Sequence, residues 1–174
     1  RYMDLDTKQN REQLIAAFPN LRDDANFRVN SPYNGIYNCI AFAMGFTDRW
    51  VDINTSCPGH WWPPIAEKTM DKNALIKAFE YLGFELCKNA DIENDYDKVV
   101  LFSLNDQWTH AARIVSDGIE HSKFGQCWNA YHSGNGIFEG SAYGTEYAYM
   151  KRKISDREKS TLVTYTKGKI TIVA

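Results

Sequence analysis

The spacing of apolar positions changes along the chain. In "DTKQNREQLIAAFPN" the side chains of Arg11, Leu14, Ile15 and Phe18 fall on one face, and Pro19 ends the run. This predicts a helix from about Thr7 to Phe18. "FRVNSPYNG" predicts an extended approach, because Pro32 keeps Ser31 out of helical space. "NCIAFAMG" follows, nearly all apolar between Asn38, a good N-cap, and Gly45, a good stop. It predicts a short buried helix with Cys39 as its first residue. Residues 46–68 are rich in tryptophan and proline, which predicts a packed loop that could wall a substrate cleft. "TMDKNALIKAFEYLGFE" repeats Leu75, Ala78, Phe79 and Leu82 at helical spacing and ends at Gly83.

From about Lys98 the period becomes two. "KVVLFSL" predicts a buried strand, "NDQ" a turn, "THAARIVS" a second strand, "DG" a hairpin turn and "IEHSKFG" a third strand. "EYAYMKRK" predicts another strand, and "TLVTYTKGKITIVA" a last hairpin turning at Lys167-Gly168. Helices come first and an antiparallel sheet follows, so the expected class is α+β. A chain of 174 residues suits one domain spanning 1–174.

Composition narrows the function classes. With 44% apolar and 24% charged residues the chain reads as a soluble globular protein. A formal charge of −2 gives no basic footprint, so neither nucleic acid nor an anionic membrane is an expected partner. No apolar run approaches the ~20 residues of a membrane span. The N-terminal "RYMDLDTKQNR" lacks the apolar stretch of a signal peptide. The expected location is therefore the cytoplasm, or export as an effector without a signal peptide. The four cysteines, Cys39, Cys57, Cys87 and Cys127, are expected as reduced thiols. "CPGH", with Cys127 or His132, would be the alternative of a zinc site. No second tight pair supports it, and no metal or cofactor is expected.

Cys39 carries the candidate chemistry. A thiol attacks as thiolate, and a helix N-terminus favours an anion through its free N–H groups. The same groups could hold the oxyanion of a tetrahedral intermediate. A catalytic thiol also needs a base. His60, His110, His121 and His132 are available, and His110 is placed to open a strand directly after a turn.

This joint pattern resembles papain-like cysteine hydrolases of the NlpC type, which place the nucleophile at the start of a helix packed on an antiparallel sheet. The resemblance implies an α+β, papain-like fold with N-terminal helices on the sheet. It puts a polar orienting residue near Ser122 or His121. A closer resemblance, over about residues 14–152, is to an uncharacterised family of bacterial domains. It rests on "FPNL", "SPYNGIYNCIAFAMG", "RW" with "WWPP", "FEYLGFELC", "KVVLF", "THAAR", "HSKFG", His132, "EG" (139–140) and "YG" (143–144). That family commonly has aspartate where Asn129 stands; asparagine can still orient an imidazole. Asn129, Ser122 and His132 remain open as third member. Lys123 is either a substrate carboxylate contact or a solvated strand lysine, and Glu139 and Tyr143 are loop anchors or site residues. Residues 154–174 lie outside the resemblance as an appended β-hairpin.

The expected function is a Cys–His thiol peptidase or amidase. Cys39 would form the acyl-enzyme, with His110 as base and then acid. Trp50, Trp61, Trp62, Lys123 and His132 would contact a peptide or amide substrate, a protein included. Deamidation or transglutamination begins with the same half-reaction. A bacterial toxin or effector, with a cognate inhibitor or immunity protein, or a cell-wall amidase is the implied setting. The alternative is a papain-like binding module without turnover.

Overall fold

The computed structural model describes residues 4–138 and 142–157. Helix α1 (Lys8–Ala17) begins at Thr7, whose hydroxyl accepts the Asn10 N–H, and Pro19 then tightens the chain into a 3-10 turn. Strand β1 (Arg28–Val29) leads to α2 (Cys39–Met44), which Gly45 closes in the left-handed region at φ 100°. The tryptophan-rich stretch is not wholly a loop. It holds β2 (Trp50–Val51) and β3 (His60–Trp61), paired in parallel. Helix α3 (Lys72–Tyr81) starts at Asp71, whose carboxylate accepts the Asn73 N–H, and buries Ala74, Leu75, Ala78 and Phe79. Then come β4 (Glu85–Cys87), β5 (Tyr96–Leu104), β6 (Gln107–Ser116), β7 (Ile119–Lys123), β8 (Asn129–Ser133) and β9 (Thr145–Lys153).

All these strands but β2 and β3 form one sheet in the order β1-β8-β7-β6-β5-β9-β4, with every neighbouring pair antiparallel. β5 to β8 form a meander. Its first turn, Asn105-Asp106, has φ of 53° and 61°, and its second uses Gly118 at φ 76°. In the first turn, positive φ at both central residues gives the twist that two-residue hairpins need.

Alternation along the strands sorts side chains onto two faces. Val99, Leu101, Ala111 and Met150 pack against α2, α3 and Trp62. Val100, Phe102, Ala112, Ile114 and Ala130 pack against Leu14, Ile15, Phe18 and Leu21 from α1 and the turn after it. A bulge marks one place where parity changes. Phe102 pairs with His110 and Ser103 with Trp108, leaving Thr109 as the extra residue. Trp108 therefore stacks on Trp62 at 5.6 Å on the α3 side, whereas His110 packs on Phe102 and Phe124 on the α1 side.

This architecture overturns the expected α+β papain-like arrangement of N-terminal helices packed on a sheet. Among the described residues the fold is mainly a seven-stranded antiparallel sheet with three short α-helices, about 26% helical with the 3-10 turns counted. Those helices do not form one layer: α1 covers one face, and α2 and α3 the other. The physical reason is that apolar residues on β5 and β6 face both ways, so each face needs a cover. Residues 154–156 of the expected final hairpin form a 3-10 turn, and its turn at Lys167-Gly168 lies outside the described residues.

Candidate functional site

Asn38 sets the start of α2. Its Oδ1 accepts the N–H groups of Ala41 (3.0 Å) and Val51 (3.1 Å), while Nδ2 donates to Val51 O at 2.8 Å. One buried amide thus caps the helix and ties it to β2. Cys39 follows as the first helical residue and is 7% exposed. The N–H groups of Ala111, Ile40 and Cys39 itself favour its thiolate, as does the charge of Lys123. The β6–β7 ladder ends at Arg113–His121, short of Ala111. Burial outweighs these groups and pushes the Cys39 thiol up to about 11.

Lys123 is fully buried on the same face. Its Nζ donates to Asn34 O at 2.7 Å and to Gly125 O, and lies 4.9 Å from the centre of the Tyr37 ring. Burial brings its ammonium down to about 8, against the opposing charges of Cys127 and Cys39. Lys123 is paired with Asn129 across β7–β8. Asn129 Oδ1 is buried with no hydrogen-bond partner among the described residues. His121 belongs to this face as well. It meets Phe42 edge-on at 4.9 Å, stacks on Tyr131 and bonds Asn30 Oδ1 at 2.9 Å.

His110 lies on the other face. It is the fourth residue of β6 rather than its first, and it is fully buried. Its Nε2 bonds Ser122 Oγ at 2.9 Å; Ser122 Oγ bonds His132 Nε2 at 2.7 Å; His132 Nδ1 bonds Ser133 O at 2.8 Å. Burial drives His110 well below the usual imidazole range and His132 down to about 4, so both rings are neutral at pH 7. His110 Nδ1 has no hydrogen-bond partner among the described residues. The sheet therefore divides the residues expected to act together. Cys39, Lys123 and Asn129 share the α2 face, while His110, Ser122 and His132 share the α1 face. The Tyr143 ring stacks on His110 at 3.9 Å, and burial, with the charges of Cys39 and Cys127 adding to it, raises its hydroxyl.

The expected cleft wall is spread out. Trp62 is buried and donates Nε1 to Ala66 O and Glu67 O. Trp61 packs on Phe46, with Arg49 over its ring, and Trp50 stacks on His60. His60 Nδ1 is bonded to Asp52 at 2.9 Å, and Cys57 Sγ accepts from Asn54. Among the described residues no three His, Cys, Asp or Glu side chains gather as a metal site, and Glu139 lies outside those residues. Among the described residues no helix is long and apolar enough to cross a membrane.

Sequence reading missed the α2-face grouping of His121 and Lys123. The signal was available in "IEHSK", where period two puts His121 and Lys123 on one face and Glu120 and Ser122 on the other. It also missed the carboxyl pair of buried Glu120 and half-buried Glu146. Burial and the neighbouring Glu146 push Glu120 up to about 9.

A family model for a domain of unknown function, DUF7689, matches residues 28–151. The chain belongs to the DUF7689 family. The DUF7689 match takes in α2, α3 and every strand from β1 to β8, but ends within β9. Neither a curated protein nor a solved structure matches the chain.

Proposed function

We propose that this DUF7689 domain is a thiol amidase or peptidase whose nucleophile is Cys39, with Lys123 in the place expected for His110. The reading is supported by the place of Cys39 at the first turn of α2, where backbone N–H groups and the charge of buried Lys123 favour its thiolate. Two hydrogens of Lys123 Nζ go to Asn34 O and Gly125 O. A neutral Nζ then keeps its lone pair for the thiol proton. Nζ takes that proton, the sulfur attacks the amide carbon, and the carbonyl electron pair moves onto oxygen beside the backbone N–H groups. Collapse breaks the C–N bond, and Nζ returns the proton to the leaving amine. Water then attacks the thioester and loses its proton to Nζ, and the Cys39 thiol is restored. The substrate is a peptide or other amide, free or within a protein. An amine in place of water gives transglutamination, and a glutamine side chain as substrate gives deamidation. A protein of this kind would act in the cytoplasm or as an exported toxin or effector, alongside a cognate inhibitor.

The test is acylation by p-nitrophenyl acetate, mapped by mass spectrometry on the folded protein. A single acetyl group on Cys39 is expected. It should be absent in Cys39→Ser, slowed in Lys123→Met, kept in His110→Ala, and formed faster as pH rises through about 8. Acetylation spread over all four cysteines, or sparing Cys39, overturns the reading. The burial of Cys39 favours a second reading, a binding domain without turnover, and that outcome would leave it standing.

A further inference from the structure

The C-terminal end of α2 closes over a cleft of about 580 Å³. Met44 and Gly45, Asp97 on β5, Arg113 on β6, Arg152 on β9 and Arg157 just beyond it line this space. These residues bring three guanidinium groups against one carboxylate. Asp97 is already shared, bonding Arg157 Nε at 2.7 Å and Arg152 Nη2 at 3.4 Å.

The arginines also serve the helix ends. Arg113 donates Nε to Phe42 O at 2.7 Å, its guanidinium 3.7 Å above the Phe42 ring. Arg152 reaches Leu82 O at 3.3 Å and Met44 O at 3.4 Å. Capping accounts for those contacts but not for the remaining donors. Nε is the only nitrogen of Arg113 with a hydrogen bond among the described residues. Arg152 is 5% exposed, yet its buried Nε has no acceptor among the described residues. A buried donor without an acceptor is costly, and like charges held together add to that cost. An anion in the cleft offsets the like charges and gives the remaining Arg113 donors an acceptor.

We propose that this cleft binds a phosphate group, carried on a small phosphorylated molecule or as inorganic phosphate. Three guanidinium groups against the single, shared Asp97 carboxylate leave two positive charges in excess, which match a phosphate dianion, and the planar fork of arginine fits its oxygens. The volume suits a small ligand. The proposal is independent of the chemistry at Cys39, which lies at the other end of α2.

The experiment titrates the whole chain with inorganic phosphate and separately with phenyl phosphate, by calorimetry at fixed ionic strength. Arginine Nε–H resonances are followed by NMR in the same samples. One saturable site is expected, with the Arg113 and Arg152 resonances shifting together. Arg113→Met should weaken binding by at least about tenfold. Arg113→Lys, which keeps the charge but loses the fork, should fall between. Tighter binding of phenyl phosphate assigns the phosphorylated molecule, and equal binding assigns phosphate itself. The proposal is overturned if sodium chloride reproduces the effect, or if wild-type Arg113 and Arg152 resonances do not move. The wild-type resonances decide the question even if a variant fails to fold.

Discussion

Replacing Asn38 by alanine should remove three buried hydrogen bonds at one stroke. Ala41 N–H loses its cap, and both the N–H and C=O of Val51 lose their partner. An N-cap contributes about 1 kcal/mol. Each orphaned backbone group of buried Val51 adds about 1–2 kcal/mol. The total is about 4 kcal/mol, a large share of the roughly 5–15 kcal/mol that holds a domain folded. Urea unfolding followed by tryptophan fluorescence measures it. With a slope of about 2 kcal/mol/M, the midpoint should fall by about 2 M. Asn38→Asp keeps both accepted bonds and loses only the donor to Val51 O, so it should fall by less. A shift below about 0.5 M for Asn38→Ala would refute the reasoning, because the links from α2 to β2 would then carry little of the fold.

Glu120→Gln should flatten the pH dependence of stability. The Glu120 carboxyl, held at about 9 by burial and by Glu146, keeps its proton when folded, whereas the unfolded chain releases it near 4.5. Wild-type stability should therefore fall as pH rises between those values, by about 2–4 kcal/mol more than in the variant between pH 5 and 8. Parallel melting curves across that range would refute it. Ser122→Ala leaves the Nε2 atoms of His110 and His132 without their common partner and should cost about 2–3 kcal/mol in urea unfolding. Acylation of Cys39 should be unchanged in that variant, since Ser122 serves the other face.

Local features of this fold were legible in the sequence because their physics is local. Asn38 caps a helix, Gly45 ends one, and Asp117-Gly118 turns a hairpin, each through its own backbone preference. The partition of the site was not legible. Period two shows that His110 and Ala111 point opposite ways, but not which of them meets α2. That choice depends on where the chain lays its helices, a long-range matter. The Thr109 bulge disturbs the count again by sending Trp108 and His110 to different faces. Strand β8 was missed because "NAYHS" lacks an apolar run; its pairing with β7 and β1 defines it instead. Residues 85–87 failed as a strand signal for the same reason, being a three-residue edge.

The sheet that separates His110 from Cys39 also lets the two sides vary independently. Each strand carries two alternating series of side chains, and a substitution in one series leaves the other nearly untouched. A lineage could lose the thiol face altogether while keeping the His–Ser–His chain, or the reverse, without losing the fold. A single inserted or deleted residue in β7 would be far harsher, exchanging His121 and Lys123 with Ser122 between the two sides. Descendants of this domain should therefore diverge readily by replacement and only rarely by a change of length within β7.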